Sequence, residues 1–273
     1  MAAKTNNGKS AAGLSNGERP VASAPTDNSG KMYHIGLGKD DVGDIALLPG
    51  DPDRVPKIAG FFDSSEELNM HREYCSCGGY IGKRYVVAIS TGIGAPSAAI
   101  AIEELARLGV TTMIRIGTCG SISRDADVGS LIVADSAVRL EGTSAQYIMR
   151  EYPAAATPEV TIALKESALK LKRNVTVGAT ASSDSFYVGQ GRSGFRGYVP
   201  SGSATLIKTL QDANVKCFEM EASALFTLGR IYGIKTGAVF AVIANRVTNG
   251  FRMGAGIEDA IKVAVDAIRS RVL

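Results

Sequence analysis

The chain has little of what a metal or redox site is built from. Its four cysteines, at 75, 77, 119 and 217, form no C-x-x-C pair, and only two histidines accompany them. That set does not make a zinc signature, and the cysteines read as free thiols of a reducing, cytoplasmic compartment. The sequence also lacks an apolar run of the ~18 residues that a spanning helix needs, and it lacks a secretory h-region, so neither membrane nor export is expected. Nor is there a basic track with interleaved aromatics: 30 Lys and Arg against 27 Asp and Glu leave a net charge of +3, too mild for a nucleic-acid partner. A dinucleotide site is excluded on similar grounds. Gly92-Ile93-Gly94 follows a strand pattern, but Ser97 stands where a third glycine is required and no acidic residue closes a later strand.

What is present suits one large α/β domain over residues 32–273, since 45% of the chain is hydrophobic and strand and helix patterns alternate. Residues 1–31 are Ala, Ser, Asn, Gly, Thr and Pro with almost nothing large and apolar, and are expected to form a disordered tail. Strands are expected at Ile45–Leu48, Leu68–Ile81, Arg84–Ser90, Thr111–Ile116, Leu131–Leu140, Asn174–Ser182, Val215–Phe218 and Thr236–Asn245. Helices are expected at 97–108, 159–172, 205–213, from Glu219 to Tyr232, and at 258–272. The stretch 192–203, rich in Gly and Ser, reads as a lid or flexible loop.

The stretch around which the rest is organised is Arg115-Ile116-Gly117-Thr118-Cys119-Gly120, read as lying at a strand's C-terminal end. A short β-rich run ending in Gly, a hydroxyl residue and Gly delivers bare amides and a cation to an anion. Gly50-Asp51-Pro52-Asp53-Arg54 follows the first strand; it is either a second anion-binding turn clamped by Arg54 or an ordinary turn capped by Asp51. In His71-Arg72-Glu73, strand alternation turns Arg72 away from its neighbours. Arginines at 54, 72 and 115, with Thr118 and Gly50, suit a tetrahedral dianion. Glu219 and Glu221 flank Met220; these carboxylates either accept hydrogen bonds from a sugar diol, with Met220 on the sugar face, or decorate a helix N-terminus.

These segments, together with Ser90–Ser97, Ser182–Arg192 and Ile243–Arg246, resemble the uridine phosphorylase branch of the nucleoside phosphorylase family, in the family's order from about Tyr33 onward. The resemblance implies a three-layer α/β/α sandwich around a mixed, partly barrel-like central sheet, assembled as a homodimer or a hexamer of dimers. It implies that Gly50, Arg54, Arg115, Gly117 and Thr118 bind phosphate, with Arg72 entering from the neighbouring subunit. His34 would cross the same interface to the ribose, which Met220 and Glu221 hold. Phe186, Gln190, Arg192, Ile243, Ala244 and Arg246 would line the base pocket, and Arg115, Arg54, Thr118, Glu221, Gln190 and Arg192 would carry catalysis. Glu73, Ile93 and Ser97 match positions where relatives hold a monovalent cation between subunits, which implies a monovalent or divalent cation at the dimer interface here.

The implied activity is phosphorolysis of uridine in pyrimidine salvage, with phosphate as co-substrate and no required cofactor. Purine-cleaving relatives carry an Asp just after the final strand; here the strand ends Ile243-Ala244-Asn245-Arg246, without an acid. Gln190 offers a donor and an acceptor to an imide edge. The rivals are a nucleoside hydrolase or purine-type phosphorylase of the same fold, and a non-catalytic nucleoside- or anion-binding protein. Three features depart from the family pattern: Gly191, where relatives often have Glu, the lid at 193–203, and the long N-terminal tail.

Overall fold

The computed structural model describes residues 21–270. Of the expected tail, residues 1–20 lie outside that range; in 21–31 the Asp27 carboxylate accepts from the Ser29 and Lys31 amides at 2.8 and 2.9 Å. Residues 271–273, including the end of the expected last helix, also lie outside it.

The chain begins its α/β pattern with β1 (Ile45–Leu48), whose four residues are all buried, as a central strand requires. A 3-10 turn at Pro52–Arg54, capped by the Asp51 carboxylate on the Asp53 amide at 3.0 Å, leads into α1 (Val55–Ala59). Next come β2 (Ser64–His71), β3 (Tyr74–Ile81), β4 (Arg84–Ile89), α2 (Ala95–Arg107), β5 (Thr112–Ser121) and β6 (Leu131–Arg139). The remainder is α3 (Pro158–Lys170), β7 (Val175–Ser182), α4 (Ser203–Asp212), β8 (Cys217–Glu219), α5 (Ala222–Tyr232), β9 (Lys235–Asn245), β10 (Gly250–Phe251) and α6 (Ile257–Arg269).

The strands run in the order β10-β9-β6-β7-β8-β5-β1-β4-β3-β2, and a further pairing of β9 with β5 closes β5, β9, β6, β7 and β8 into a barrel. β1 to β4 extend from it as an open wing. Period-two alternation along β9 sends Ala238, Phe240 and Val242 into a core shared with α2 and α5, and Val239 and Ala241 into one shared with α1, α3 and α6. The result is the expected α/β/α sandwich around a mixed, partly barrel-like sheet. Among the described residues no helix is long and apolar enough to cross a membrane.

β5 belongs to both parts of the sheet. Its residues Thr112–Arg115 pair with β1, and Gly120 and Ser121 pair with β8, while β9 runs along its other edge. Between Arg115 and Gly120 the first edge passes from one partner to the other, and the sheet splits there. Open α/β sheets place ligands at such a switch.

Several expected elements differ. The strand expected over Leu68–Ile81 is two strands joined by a turn at Arg72-Glu73, with Arg72 at φ 55° and His71 paired to Tyr74. Arg72 therefore heads a turn, and strand alternation does not set its direction. β5 continues through Gly117 to Ser121, so Arg115 lies inside a strand rather than at its end. Glu219 ends β8 and Glu221 is the N-cap of α5, so the helix opens three residues later than expected. In the expected lid, a 3-10 turn spans Phe195–Gly197.

Candidate active site

A cavity of about 1040 Å³ opens where β5 changes partners. One end is cationic. Arg115 projects from β5 and is only 6% exposed; one guanidinium nitrogen is ion-paired with Glu221, and another donates to the Thr91 hydroxyl at 3.2 Å. Its Nε is buried without a hydrogen-bond partner among the described residues. Arg54, one turn after Gly50, donates to the Ile116 carbonyl at 3.4 Å, on the stretch of β5 that the switch exposes. Burial lowers the Arg54 pKa, and the neighbouring Arg115 guanidinium lowers it further. Asp51 and Glu221 offset part of this repulsion, and an anion between the two guanidiniums would offset more.

Gly50 closes this end. A β-carbon on it would stand 3.1 Å from the Gly92 carbonyl oxygen and 3.3 Å from an Arg115 nitrogen, so a side chain would intrude on the guanidinium. Thr118 and Gly120 line the cavity with it. Gly117 does not line it: a β-carbon there would meet the Phe240 ring at 2.6 Å and Arg115 Nε at 3.4 Å, so this glycine makes room beneath the arginine.

The two glutamates at the centre have different surroundings. Glu221 accepts from the Gly94 amide at 2.6 Å through one oxygen and holds Arg115 with the other. Glu219 also borders the cavity, and its oxygens carry more protein donors: one takes the Ser182 and Thr180 hydroxyls, the other the amides of Glu221 and Ala222, each at 2.7 Å. Burial raises the Glu219 pKa, and the adjacent Glu221 charge raises it further. Met220 lies between them on the cavity wall.

The far end is built by the segment after β7 and the end of β9. The Gln190 side-chain oxygen accepts from Arg192 at 2.6 Å, and its backbone carbonyl accepts from Arg246 at 3.1 Å. Arg192 also donates to the Phe186 carbonyl at 2.6 Å and lies 4.1 Å from the centre of that ring. Burial, and then the proximity of Arg246, lower the Arg192 pKa. Ile243, Ala244, Phe186 and Phe251 complete the wall. Asn245 lines it too, with its amide committed: it donates to the Ser123 and Ala126 carbonyls at 3.1 and 2.9 Å and accepts from the Val247 and Thr248 amides at 2.8 and 3.1 Å.

The structure thus gathers Gly50, Arg54, Arg115, Thr118, Phe186, Gln190, Arg192, Met220, Glu221, Ile243, Ala244 and Arg246 around one space. His34 and Arg72 lie outside it. The His34 ring is held by Glu104 at 2.6 Å, and the Arg72 guanidinium is 5.6 Å from the Tyr33 ring centre. Glu73 and Ile93 reach the cavity wall while Ser97 does not; the Ser97 hydroxyl donates to the Ile93 carbonyl at 3.3 Å. Among the described residues, no three or more His, Cys, Asp or Glu side chains are grouped to hold a metal ion.

Sequence reasoning did not assign a role to Thr91, Gly94, Asn245 or Phe251. The first two sit in the quoted Ser90–Ser97 segment, where the excess of Gly and hydroxyl residues was the available signal. Phe251 belongs to a two-residue strand, too short for periodicity to reveal.

Comparison with known proteins agrees with this geometry. Over 248 residues the chain is 50% identical to a uridine phosphorylase of Thermococcus kodakarensis, covering 91% of this chain and 89% of the relative. It is 40% identical over 245 residues to the uridine phosphorylase of Escherichia coli, covering 87% and 97%. A guanosine phosphorylase of Halorubrum lacusprofundi is 38% identical over 231 residues, covering 85% and 90%. Residues 44–269 match the family described as the phosphorylase superfamily, and the chain belongs to that family.

Proposed function

We propose that this protein catalyses the reversible phosphorolysis of uridine to uracil and ribose 1-phosphate in the cytoplasm. The observation that carries the reading is a single cavity with the Arg54–Arg115 pair at one end and the Gln190–Arg192–Arg246 group at the other. Relatives named uridine phosphorylase support it.

Phosphate is the co-substrate, and no other cofactor is needed. Arg54, Arg115, Thr118 and the backbone at Gly50 hold it, as fixed cations and donors hold a tetrahedral anion. Glu221 and Met220 hold the ribose, the carboxylate by accepting from its hydroxyls. A phosphate oxygen forms the new bond to C1′ as the bond from C1′ to N1 breaks, and the bonding pair leaves with uracil. The oxocarbenium-like sugar is stabilised by phosphate, and the departing uracil anion by Arg192 and Gln190, with Arg246 behind them.

The guanosine phosphorylase among the relatives raises a purine alternative. A purine leaving group is helped by a proton on its ring, but the Asn245 amide has no proton to offer beyond those it gives to Ser123 and Ala126. A hydrolase would have no use for paired guanidiniums beside the sugar.

His34 and Arg72 act in the site of a second copy, in a homodimer or a hexamer of dimers. The contact of the His34 Nδ1 atom with Glu104 leaves Nε2 for the neighbour's ribose. Glu73, the Ile93 carbonyl and the Ser97 hydroxyl hold a monovalent cation at that interface. One carboxylate with neutral oxygens suits a weakly charged ion.

The test is uridine cleavage followed chromatographically with and without phosphate. Uracil and ribose 1-phosphate should form only with phosphate. Equal uracil release in phosphate-free buffer would establish a hydrolase, and no cleavage in either buffer a binding protein.

A further inference from the structure

The N-cap residue of α5 makes no capping hydrogen bond with its own side chain. A helix start leaves several amides without partners, and the N-cap side chain ordinarily serves one of them. Here that residue is Glu221, whose carboxylate faces Arg115 and the Gly94 amide instead. Three amides at the start of α5 nevertheless have partners. Those of Glu221 and Ala222 donate to one Glu219 oxygen at 2.7 Å each, and that of Ser223 donates to the Ser182 hydroxyl at 2.9 Å. The Ser182 hydroxyl in turn donates to the other Glu219 oxygen.

Ser182 and Glu219 end parallel strands and lie in register, so their side chains meet across β7 and β8. Behind them the Ser223 hydroxyl donates to the buried Glu141 at 2.8 Å, which holds the third amide of the set in place. Glu219 receives four donors, the Thr180 hydroxyl at 3.5 Å being the fourth, and Ser182 both accepts and donates.

We propose that Glu219 and Ser182 are positioning residues for Glu221. They cap α5 in its stead, so that the Glu221 carboxylate stays on the cavity side beside Arg115 and Gly94, where its remaining lone pairs accept from the ribose. The proposal rests on the reading of this cavity as a uridine site. A carboxylate at 219 serves both sides at once: an amide with its oxygen on the two helix amides would present NH2 to the Ser182 oxygen, and the Ser182 hydrogen would lose its acceptor.

The experiment is a double-mutant cycle read by uridine affinity, measured calorimetrically in phosphate-free buffer. Glu219→Gln is expected to weaken uridine binding about tenfold, the middle of the range for coupled neighbours. Ser182→Ala should weaken it less, and inorganic phosphate should bind both variants about as well as it binds the parent. In a Glu221→Ala background, Glu219→Gln should cost nothing further. An undiminished loss in that background would overturn the proposal, because Glu219 would then touch uridine itself. Unchanged uridine affinity in folded Glu219→Gln would also overturn it. Should Glu219→Gln fail to fold, Ser182→Ala takes its place in the same cycle with the same two overturning results. Failure of the parent to cleave uridine with phosphate present would refute the functional reading, a result separate from the affinities.

Discussion

The two ends of the cavity are made differently. The cationic end is carried by strand β5, the turn after β1 and the N-cap of α5, with Arg115 and Glu221 6% and 4% exposed. The far end is carried by the segment after β7 and the hairpin after β9, where Phe186 is 51% and Phe251 69% exposed. An end set in the core is organised before any ligand arrives, and the cost of holding two like charges together is met during folding. The aromatic walls of the far end can adjust, around a Gln190 that is itself buried.

This contrast sets the expected order of damage. Arg115→Ala should reduce kcat/KM for phosphate by on the order of a thousandfold, the loss typical of a preorganised charge partner. A thermal melt should show that the variant still folds. Arg246→Ala should cost roughly tenfold in kcat and leave the phosphate KM unchanged, because its guanidinium acts behind Gln190 at the far end. Equal losses in steady-state kinetics of the two variants would erase the distinction between the ends. Phe186→Leu should have the smallest effect, a rise in uridine KM of about threefold from the lost aromatic stacking, visible as a shift confined to KM.

The parts of the site legible in the sequence were those whose chemistry is local. Gly50 to Arg54 announces a capped turn with a cation one turn on, and the structure shows that turn, Asp51 cap included. The alternating hydrophobic runs gave the layers for the same reason: burial on a strand or helix repeats with a short period. Elements decided by distant partners were not legible. Gly117 and Gly120 read as a strand end, yet β5 continues because β9 and β8 supply hydrogen bonds to it from far along the chain. Arg72 occupies the positive-φ position of a two-residue turn that usually goes to glycine, so residue type misdirected the reading. Glu219 and Glu221 were indistinguishable locally. What separates them is Ser182, 37 residues earlier in the chain.

The double membership of β5 bears on how substrate enters. Parting Arg115 from Gly50 would pull β1 off β5 and detach the wing from the barrel, an opening closer to subglobal unfolding than to a loop fluctuation. Traffic through the cavity therefore falls to the surface segments bearing Phe186 and Phe251, and the amides in the middle of β5 should be among the last in the molecule to exchange with deuterium.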